Sequence, residues 1–292
     1  MTNLGIAGVR VGHWTDDVAR TGCTVVRFDA PAAASGEVRG GAPATHEFEL
    51  LDPRRMVDRI DAVVITGGSA FGLAACAGVT EQLAAEGVGL RTPHAVVPIV
   101  VGMGLYDLGV GDPDVRPTSE SGVFALNAAA DHFEVGSVGA GTGSTVGNWR
   151  GTARPGGIGA ASVADGDLIV SALIAVNAVG DLMVDEGAAE TARTVVDGTF
   201  DWSTVAAPFA QNTTIGIIVT NATCTKSEAR LLAEAGHDGL ARAIIPAHTP
   251  ADGDALVAAA TNTVGSVPMA QLRLMASAAT EGAIASLRSS GP

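Results

Sequence analysis

The sequence predicts one layered domain of the α/β or α+β class, built from both strands and helices. The chain has 292 residues, of which 47% are hydrophobic and 16% charged, enough for one large core. Apolar β-branched segments alternate along it with Ala-rich helical segments. No shift in composition marks a boundary between two folding units, so residues 1–292 are expected to form a single domain.

Strands are predicted where β-branched and other apolar residues run together between turn residues. A first pair is expected at 9–13 and 22–28, followed by a Gly-rich turn at 38–43. The later strands are predicted at 61–66, 96–101, 168–177 and 257–260, together with one that begins at Thr213. The apolar stretch that ends at Val179 is shorter than the roughly 20 residues of a membrane-spanning helix, so no membrane span is predicted.

Helices are predicted where Ala and Leu recur at helical spacing. The predicted helices are 70–86, 119–132, 226–236 and 271–287. Ser119 is expected to cap the second helix, and Thr225 with Glu228 forms a capping box before the third. The Gly-rich segment 136–159 is expected to be mostly loop, and the polar segment 185–210 is expected to be an exposed connection.

The charge balance excludes one class of partner. The chain carries 31 acidic and 17 basic residues, a net charge of −14, and it contains no basic run. Binding to nucleic acid requires a basic surface, so no such partner is predicted.

Cys23, Cys76 and Cys224 form no C-x-x-C pair and are predicted to be buried reduced thiols. The first residues lack the features of a signal peptide, which predicts a cytoplasmic protein.

The stretch from Gln211 to Val219 places a polar cluster, Gln-Asn-Thr-Thr, directly before a β-branched strand. Such a cluster is most often only the turn that starts the strand. The chemical alternative is a self-processing hydrolase, whose nucleophilic hydroxyl lies at the mouth of a buried strand. If the bond between Asn212 and Thr213 is cut, the new α-amine of Thr213 can act as the base that activates its own hydroxyl.

Two Gly-rich segments resemble known motifs without matching them. Gly67, Gly68 and Ser69 join a strand to a helix, but Phe71 stands where the nucleophile elbow G-x-S-x-G requires glycine. Ser69 is therefore predicted to cap the helix, whose N-terminus could also hold an anion or a carboxylate. The run 139–144 lacks the following helix and the acidic residue of a dinucleotide site, so no NAD is predicted.

Polar residues late in the chain leave two interpretations open. His237, His248, Asp252 and Asp254 could bind a metal, although no H-x-x-x-H spacing is present. The two carboxylates could instead orient a nucleophile or hold a cationic amine, and a new N-terminal ammonium would be such a cation. Asn177 ends an apolar strand, and it is either a structural amide bonded to the backbone or an oxyanion donor.

Together these motifs make the chain resemble peptidase family S58, the self-processing N-terminal-nucleophile hydrolases. That family includes D-aminopeptidase/esterases, β-peptidyl aminopeptidases and 6-aminohexanoate-oligomer hydrolases. The resemblance runs nearly end to end. It is carried by GVRVGH at 8–13, VRGGAP at 38–43, TGGSAFGL at 66–73, LYDL at 105–108, VGAGTG at 138–143, VNAVG at 176–180, NTTI at 212–215, HDGLAR at 237–242, HT at 248–249 and DGD at 252–254.

The resemblance implies an αββα sandwich of the α+β class, made as an inactive precursor. It implies a cut between Asn212 and Thr213 that leaves two associated chains, 1–212 and 213–292. It further implies homotetramers or larger homo-oligomers, no metal or cofactor, and substrates such as short peptides, aminoacyl amides or amide oligomers.

The same resemblance implies roles for individual residues. Thr213 is expected to be the nucleophile and Asn177 an oxyanion donor, with Tyr106 near the oxyanion or the substrate. Asp252 and Asp254 are expected to assist the nucleophile and its amine. Gly68, Ser69 and Asn148 are expected to bind or support the substrate.

Asn148 departs from the pattern of the family. In the nylon-oligomer hydrolases a lysine follows the glycine that corresponds to Gly147, and the only lysine here, Lys226, does not match that position. An asparagine side chain cannot take up a proton, so the α-amine and carboxylates could supply the base. The alternatives are a weakly active binding or scaffold protein, or an acyltransferase of the ornithine acetyltransferase type, which also cuts itself before a threonine.

Overall fold

The computed structural model describes residues 1–151, 153–185, 187–204 and 212–287. The strands are β1 Val9–Asp16, β2 Thr21–Val38, β3 Ala44–His46, β4 Arg59–Thr66, β5 Leu90–Arg91, β6 Val96–Val97, β7 Val100–Gly104, β8 Thr145–Val146, β9 Arg154–Pro155, β10 Gly157–Asp165, β11 Leu168–Asn177, β12 Asp181–Leu182, β13 Thr213–Ala222, β14 Ile244–Ile245 and β15 Ala255–Val264. The α-helices are α1 Ser69–Gly72, α2 Ala74–Ala85, α3 Ser119–Asn127, α4 Ala188–Val196, α5 Lys226–Ala243 and α6 Met269–Ala285.

The long strand β2 joins the two halves of the main sheet. Its first part pairs with β1 and β4, and residues 33–38 pair with β15. The register between β2 and β4 shifts between Arg27 and Ala32, an irregularity that bends a strand. Strands β15, β13, β11 and β10 therefore follow on one side of β2, and β4, β7 and β3 on the other.

The two halves of the sheet pack face to face through alternate side chains. On β13, Ile215 and Ile217 enter a buried cluster that also contains Val63 and Ile65 of β4. Ile218, the residue after Ile217, belongs to a second cluster on the opposite face. This period of two places one face of β13 against the other half of the sheet and the other face against helices.

Helices cover both outer faces. Leu232 of α5 and Ala276 of α6 pack in the same cluster as Ile218. Val79 of α2 packs with Val64 on the outer face of the other half, together with residues of α3. The layers thus run helix, sheet, sheet, helix, and the predicted αββα sandwich is confirmed.

The predicted strands form, but several differ in their bounds: β1 and β2 extend well beyond 9–13 and 22–28, and β4 begins two residues before 61. Strand β11 has the predicted limits, whereas β15 begins two residues earlier and ends later than predicted. The predicted strand 96–101 is two strands, β6 and β7, separated at Pro98, which has no N–H to donate to a ladder. The three cysteines are free and buried, as predicted.

The predicted helices are correct in place and less accurate at their ends. The helix expected at 70–86 is broken into α1 and α2 at Leu73. The N-cap of α1 is Gly68 at φ 75° and no side chain caps it, so the expectation that Ser69 caps this helix is wrong. Thr118, not Ser119, caps α3, in a capping box with Ser121, and that helix ends at residue 127.

The capping box of α5 forms as predicted, and the helix continues beyond the expected end at residue 236. The expectation of an exposed connection at 185–210 is wrong for part of that segment, because α4 lies within it and buries Ala188 and Thr191. Residues 205–210 lie outside the described residues. Within the described part of the chain, no helix has the length and apolar character needed to cross a membrane.

Candidate active site

The start of β13 places Thr213 in the middle of the main sheet. Its neighbour on one side is Asn177, the last residue of β11 and its register partner. On the other side Asn212 forms a parallel bridge with Asp252, just before β15 begins. Asn212 and Thr213 are only 3% and 4% exposed. The sheet therefore brings together, in a buried position, four residues that the sequence analysis singled out.

The carbonyl oxygen of Asn212 receives two hydrogen bonds. The Thr213 hydroxyl donates one, and the Gly253 N–H donates the other over 2.9 Å. A Cβ atom added at Gly253 would lie 2.7 Å from Thr213 Oγ1, closer than real Cβ contacts. The position must therefore be glycine for the backbone to approach the hydroxyl this closely. The bond between Asn212 and Thr213 is thus flanked by a hydroxyl and by a backbone donor aimed at its carbonyl oxygen.

Asp254 holds the strand that carries Thr213. Its Oδ1 accepts the Thr214 N–H over 2.7 Å. Its Oδ2 accepts the backbone N–H of His248 over 3.1 Å, and His248 Nδ1 lies 2.8 Å from the same oxygen. The carboxylate therefore bonds the residue next to the candidate nucleophile and is itself oriented by a histidine.

Asp252 lies in the same turn and is 1% exposed. Its Oδ1 accepts the Val179 N–H over 3.2 Å, and its Oδ2 accepts the N–H and hydroxyl of Thr249 over 2.9 and 2.7 Å. Burial, together with the negative charge of Asp254, raises the pKa of Asp252 to about 6. Two buried carboxylates this close favour the arrival of a positive charge.

Asn177 connects the candidate nucleophile to Tyr106. Its Oδ1 accepts the backbone N–H of Thr145 over 2.8 Å and the Thr145 hydroxyl over 3.3 Å. Its Nδ2 donates to the Tyr106 carbonyl oxygen over 2.8 Å. These bonds fix the orientation of the amide, so the residue has a structural role whatever its chemical role is.

Asn148, in the Gly-rich segment 136–159, also lies beside Asn212. It begins a 3₁₀ turn after Gly147, whose φ of 76° lies in the left-handed region. Its Nδ2 lies 2.7 Å from Asn212 Oδ1, 3.1 Å from Thr145 Oγ1 and 3.3 Å from the Ala178 carbonyl oxygen. Asn148 therefore contacts the side chain immediately before the candidate nucleophile.

A polar cavity of about 240 Å³ opens beside these groups. Its described lining consists of Tyr106, Gly109, Val110, Thr145, Asn148, Ala153 and Asn212. None of these side chains is charged at neutral pH. The cavity is large enough for a small side chain and touches both residues of the Asn148–Asn212 contact, which makes it a candidate substrate pocket.

Gly68 and Ser69 bond the residues on either side of Tyr106 and do not bond Thr213 among the described residues. Gly68 N–H donates to Asp107 Oδ1 over 2.7 Å, and Ser69 N–H donates to the Leu105 carbonyl oxygen over 2.8 Å. Among the described residues, no hydrogen bond joins this turn to Thr213. Asp107 is 3% exposed, and burial raises the pKa of its carboxyl group. The turn therefore supports the segment that carries Tyr106.

Lys226 lies outside the site, as expected from its mismatch with the family pattern. Its Nζ donates to the carbonyl oxygens of Leu50, Arg55 and Val57 over 2.7, 3.0 and 2.6 Å. The chain thus has no lysine at the candidate active site.

Within the described residues, no group of three or more His, Cys, Asp or Glu side chains is placed to hold a metal ion.

Three participants were missed by sequence reasoning. Gly253 lies between the two predicted aspartates, and a tight D-G-D turn is the only signal that could have indicated its donor role. The sequence pattern indicates His248 only as a possible metal ligand and as part of the H-T motif, and it gives no signal for Thr145. Gly40 belongs to a recognised motif, and a Cβ there would lie 2.2 Å from the Asp254 backbone nitrogen, so this glycine lets the 38–43 turn pack on the site.

Comparison with known proteins identifies the family of the chain. The model of peptidase family S58 matches residues 4–288. An uncharacterized aminopeptidase of Mycobacterium leprae (strain TN) is 39% identical over 289 residues, covering 89% of this chain and 78% of the relative. A 6-aminohexanoate-oligomer endohydrolase of Agromyces sp. (strain KY5R) is 31% identical over 313 residues, covering 98% of this chain and 83% of the relative.

Solved structures share the fold. A Burkholderia sp. beta-aminopeptidase superposes with a TM-score of 0.74 at 24% identity, covering 98% of this chain and 85% of that chain. The L-aminopeptidase D-Ala-esterase/amidase of Ochrobactrum anthropi, a variant of the Ntn hydrolase fold, superposes with a TM-score of 0.72 at 19% identity and the same coverage. By the family match and the relatives that span most of its length, the chain belongs to peptidase family S58 and is a hydrolase of the aminopeptidase and amidase type.

Proposed function

We propose that the protein cuts itself between Asn212 and Thr213 and then hydrolyses amide bonds with Thr213 as a covalent nucleophile. The observation that carries this proposal is the environment of the Asn212 carbonyl. Its oxygen accepts the Gly253 N–H over 2.9 Å and lies against the Thr213 hydroxyl. A carbonyl with an adjacent hydroxyl and a fixed N–H donor has the parts that an acyl shift requires.

The cut proceeds in two steps. Thr213 Oγ1 attacks the Asn212 carbonyl carbon, the C–N bond breaks, and the hydroxyl proton ends on the Thr213 nitrogen, which becomes the α-amine. The resulting ester joins Asn212 to Thr213 Oγ1. Water then hydrolyses this ester, giving a carboxylate at Asn212 and restoring the hydroxyl. The products are chains 1–212 and 213–292.

Substrate hydrolysis uses the same two steps, acyl transfer to Thr213 Oγ1 and hydrolysis of the ester, with the substrate carbonyl in place of the Asn212 carbonyl. The α-amine of Thr213 takes the hydroxyl proton as Oγ1 attacks the substrate carbonyl, and the amine leaving group departs with a proton. The Gly253 N–H and the Asn177 amide stabilise the oxyanion, with Tyr106 beside it. Water then releases the acid from the acyl-Thr213 ester.

The two aspartates suit the new N-terminus. Asp254 already bonds the Thr214 N–H, and Asp252 bridges to Asn212. An ammonium at Thr213 would offset the repulsion between the two carboxylates and lower the raised pKa of Asp252. The steps above use the chain's own groups and water, without a metal or cofactor.

The names of the relatives support the choice of substrates to test. Two of the similar proteins are named as an aminopeptidase and as a 6-aminohexanoate-oligomer endohydrolase. Short peptides, aminoacyl amides and amide oligomers are therefore the substrates to test. We expect the protein to act in the cytoplasm, as a homotetramer or a larger homo-oligomer.

Intact mass and amide turnover test the proposal. Wild-type protein held at neutral pH should give two fragments whose masses sum to the full chain plus one water. Thr213→Ala should give only the full chain and no hydrolysis of aminoacyl p-nitroanilides, and Thr213→Ser should retain part of both activities because it keeps a hydroxyl. A wild type that stays whole, or a Thr213→Ala variant that is still cut, would overturn the proposal.

A further inference from the structure

The side chain of Asn212 occupies the place where the acyl part of a substrate must lie. This inference rests on the proposed function, because both self-cleavage and substrate hydrolysis then pass through an ester on Thr213 Oγ1. In both esters the carbonyl oxygen must face the Gly253 N–H, which now lies 2.9 Å from the Asn212 oxygen. The group attached to the carbonyl carbon must therefore extend in the same direction in both cases.

Asn148 holds that side chain by a single directed contact. Its Nδ2 lies 2.7 Å from Asn212 Oδ1, the shortest of the three contacts that this nitrogen makes. The other two acceptors, Thr145 Oγ1 and the Ala178 carbonyl oxygen, remain in the protein after cleavage. When Asn212 moves away, Asn148 Nδ2 loses its shortest contact and keeps only the two longer ones, so an acceptor on the substrate at the position of Asn212 Oδ1 would restore that contact.

The backbone around Asn148 keeps this donor in place. Gly147 N–H donates to the Gly180 carbonyl oxygen over 2.9 Å, and Trp149 N–H donates to the Val179 carbonyl oxygen over 3.1 Å. Trp149 Nε1 also donates to Asp181 Oδ2 over 3.1 Å. The turn is therefore bonded on both sides of Asn148 to the segment that follows β11, and the amide is oriented before a substrate arrives.

The cavity beside this contact suits an uncharged group. Its volume is about 240 Å³, and its described lining has no side chain that is charged at neutral pH. A carboxylate or ammonium that entered it would lose water without meeting an opposite charge, whereas a side-chain amide would lose less and would accept the Asn148 hydrogen bond.

We propose that this cavity is the acyl-residue site and that Asn148 selects acyl residues with a neutral side-chain carbonyl, of the asparaginyl and glutaminyl type. The substrate side-chain oxygen takes the place of Asn212 Oδ1. The replacement of the family lysine at this position then changes which acyl group is accepted, and the α-amine of Thr213 remains the base.

The test measures kcat/KM of the processed wild type for the p-nitroanilides of Asn, Gln, Leu and Asp. Leu has nearly the shape of Asn but offers no acceptor, so the Asn substrate should be preferred over Leu by on the order of 10-fold. The kcat/KM for the Asp substrate should also be lower than that for the Asn substrate. A wild-type enzyme that cleaves the Leu substrate as well as the Asn substrate overturns the inference, whatever any variant does.

Two variants test whether Asn148 is the cause. Asn148→Leu removes the donor and should bring the ratio of Asn to Leu turnover close to one. Asn148→Lys introduces a positive charge and should move the preference from the Asn to the Asp substrate. A ratio that stays at its wild-type value in both variants assigns the preference to another residue and overturns the inference.

The failure of the proposed function would look different. In that case the wild type cleaves none of the four anilides, and the inference fails with it. If the anilides are cleaved without preference for Asn, the nucleophile mechanism stands and only the role of Asn148 is rejected.

Discussion

At Gly253 the absence of a side chain lets two chain segments meet at the candidate nucleophile. A Cβ there would lie 2.7 Å from Thr213 Oγ1 and 2.9 Å from the Ala42 carbonyl oxygen. Both distances require something to shift, and the groups on the two sides are the hydroxyl of the candidate nucleophile and a backbone carbonyl. At the scale of single residues, the site depends on this approach as much as on its carboxylates.

Gly253→Ala is therefore expected to slow self-cleavage on the order of 10²-fold or more, because the methyl group displaces either the hydroxyl or the N–H donor. The measurement is the half-time for the appearance of the two fragments by mass spectrometry, with circular dichroism to confirm folding. Gly265→Ala is the matched control, since a Cβ there has no atom within 4 Å. Equal half-times for the two variants would contradict the donor role of Gly253.

His237 supplies a prediction on pH. It is fully buried, its Nε2 lies 3.0 Å from the Glu37 carbonyl oxygen, and its ring packs on His248 with centroids 4.9 Å apart. Burial, aided by the nearby charges of Arg39 and Arg230, lowers the pKa of His237 to about 3. The unfolded chain takes up a proton below about pH 6.5 and the folded chain does not, so stability is full above that pH and falls as the pH drops towards 3.

At pH 5 the difference in proton uptake by His237 between the unfolded and folded chains corresponds to about 2 kcal/mol of lost stability. His237→Gln keeps a donor for Glu37 and cannot titrate, so the fall in the free energy of unfolding between pH 7.5 and pH 5 should be smaller by about that amount. Denaturant unfolding at the two pH values measures it. An unchanged fall in the variant would show that other groups cause the acid sensitivity.

At the scale of elements, the only lysine serves as a connection between a helix and a loop. Lys226 is the first residue of α5, is 8% exposed, and bonds three carbonyl oxygens of the segment 50–57. Three acceptors around one ammonium match its three donors. The loop before β4 is therefore attached to the helix that covers the opposite half of the sheet.

Lys226→Met should destabilise the fold by about 2 kcal/mol, since it leaves the three carbonyl oxygens without this donor. Amide turnover per folded molecule should be unchanged, because Lys226 lies outside the site. Thermal unfolding and p-nitroanilide hydrolysis measure the two effects, with Arg273→Met on α6 as a surface control. A loss of turnover at full stability would give Lys226 a chemical role after all.

At the scale of the whole molecule, the proposed cut separates chains that are interleaved in one sheet. Strand β13 lies between β11 and β15, and β15 pairs with β2. The pair β13 and β15 of the 213–292 chain is thus flanked by β11 and β2 of the 1–212 chain. Helix α5 also packs with β15 and α6 over the same core.

The two chains should therefore remain together after cleavage. Size-exclusion chromatography should show the same elution before and after processing, while a denaturing gel shows two bands. Unfolding should be one cooperative transition, because neither chain keeps a complete sheet without the other. Separation of the chains under native conditions would contradict this expectation.

Several features of the fold and site were predictable from local pattern. The limits of β11, the start of β13 at Thr213 and the capping box of α5 follow from side-chain type and spacing alone. The break at Leu73 and the helix α4 were not predictable in this way. Both depend on packing against distant segments, which overrides propensity at the ends of elements.

The sequence by itself determined which residues are candidates for the chemistry: a hydroxyl before a buried strand, an amide at the end of another, and two carboxylates separated by one residue. Only the tertiary structure decided how they meet. The Gly253 donor, the Asn148–Asn212 contact and the His248–Asp254 bond each join residues through backbone direction and close approach. Hydrogen bonds require distances near 3 Å and narrow angles, and such geometry is set by the whole sheet and not by spacing along the chain.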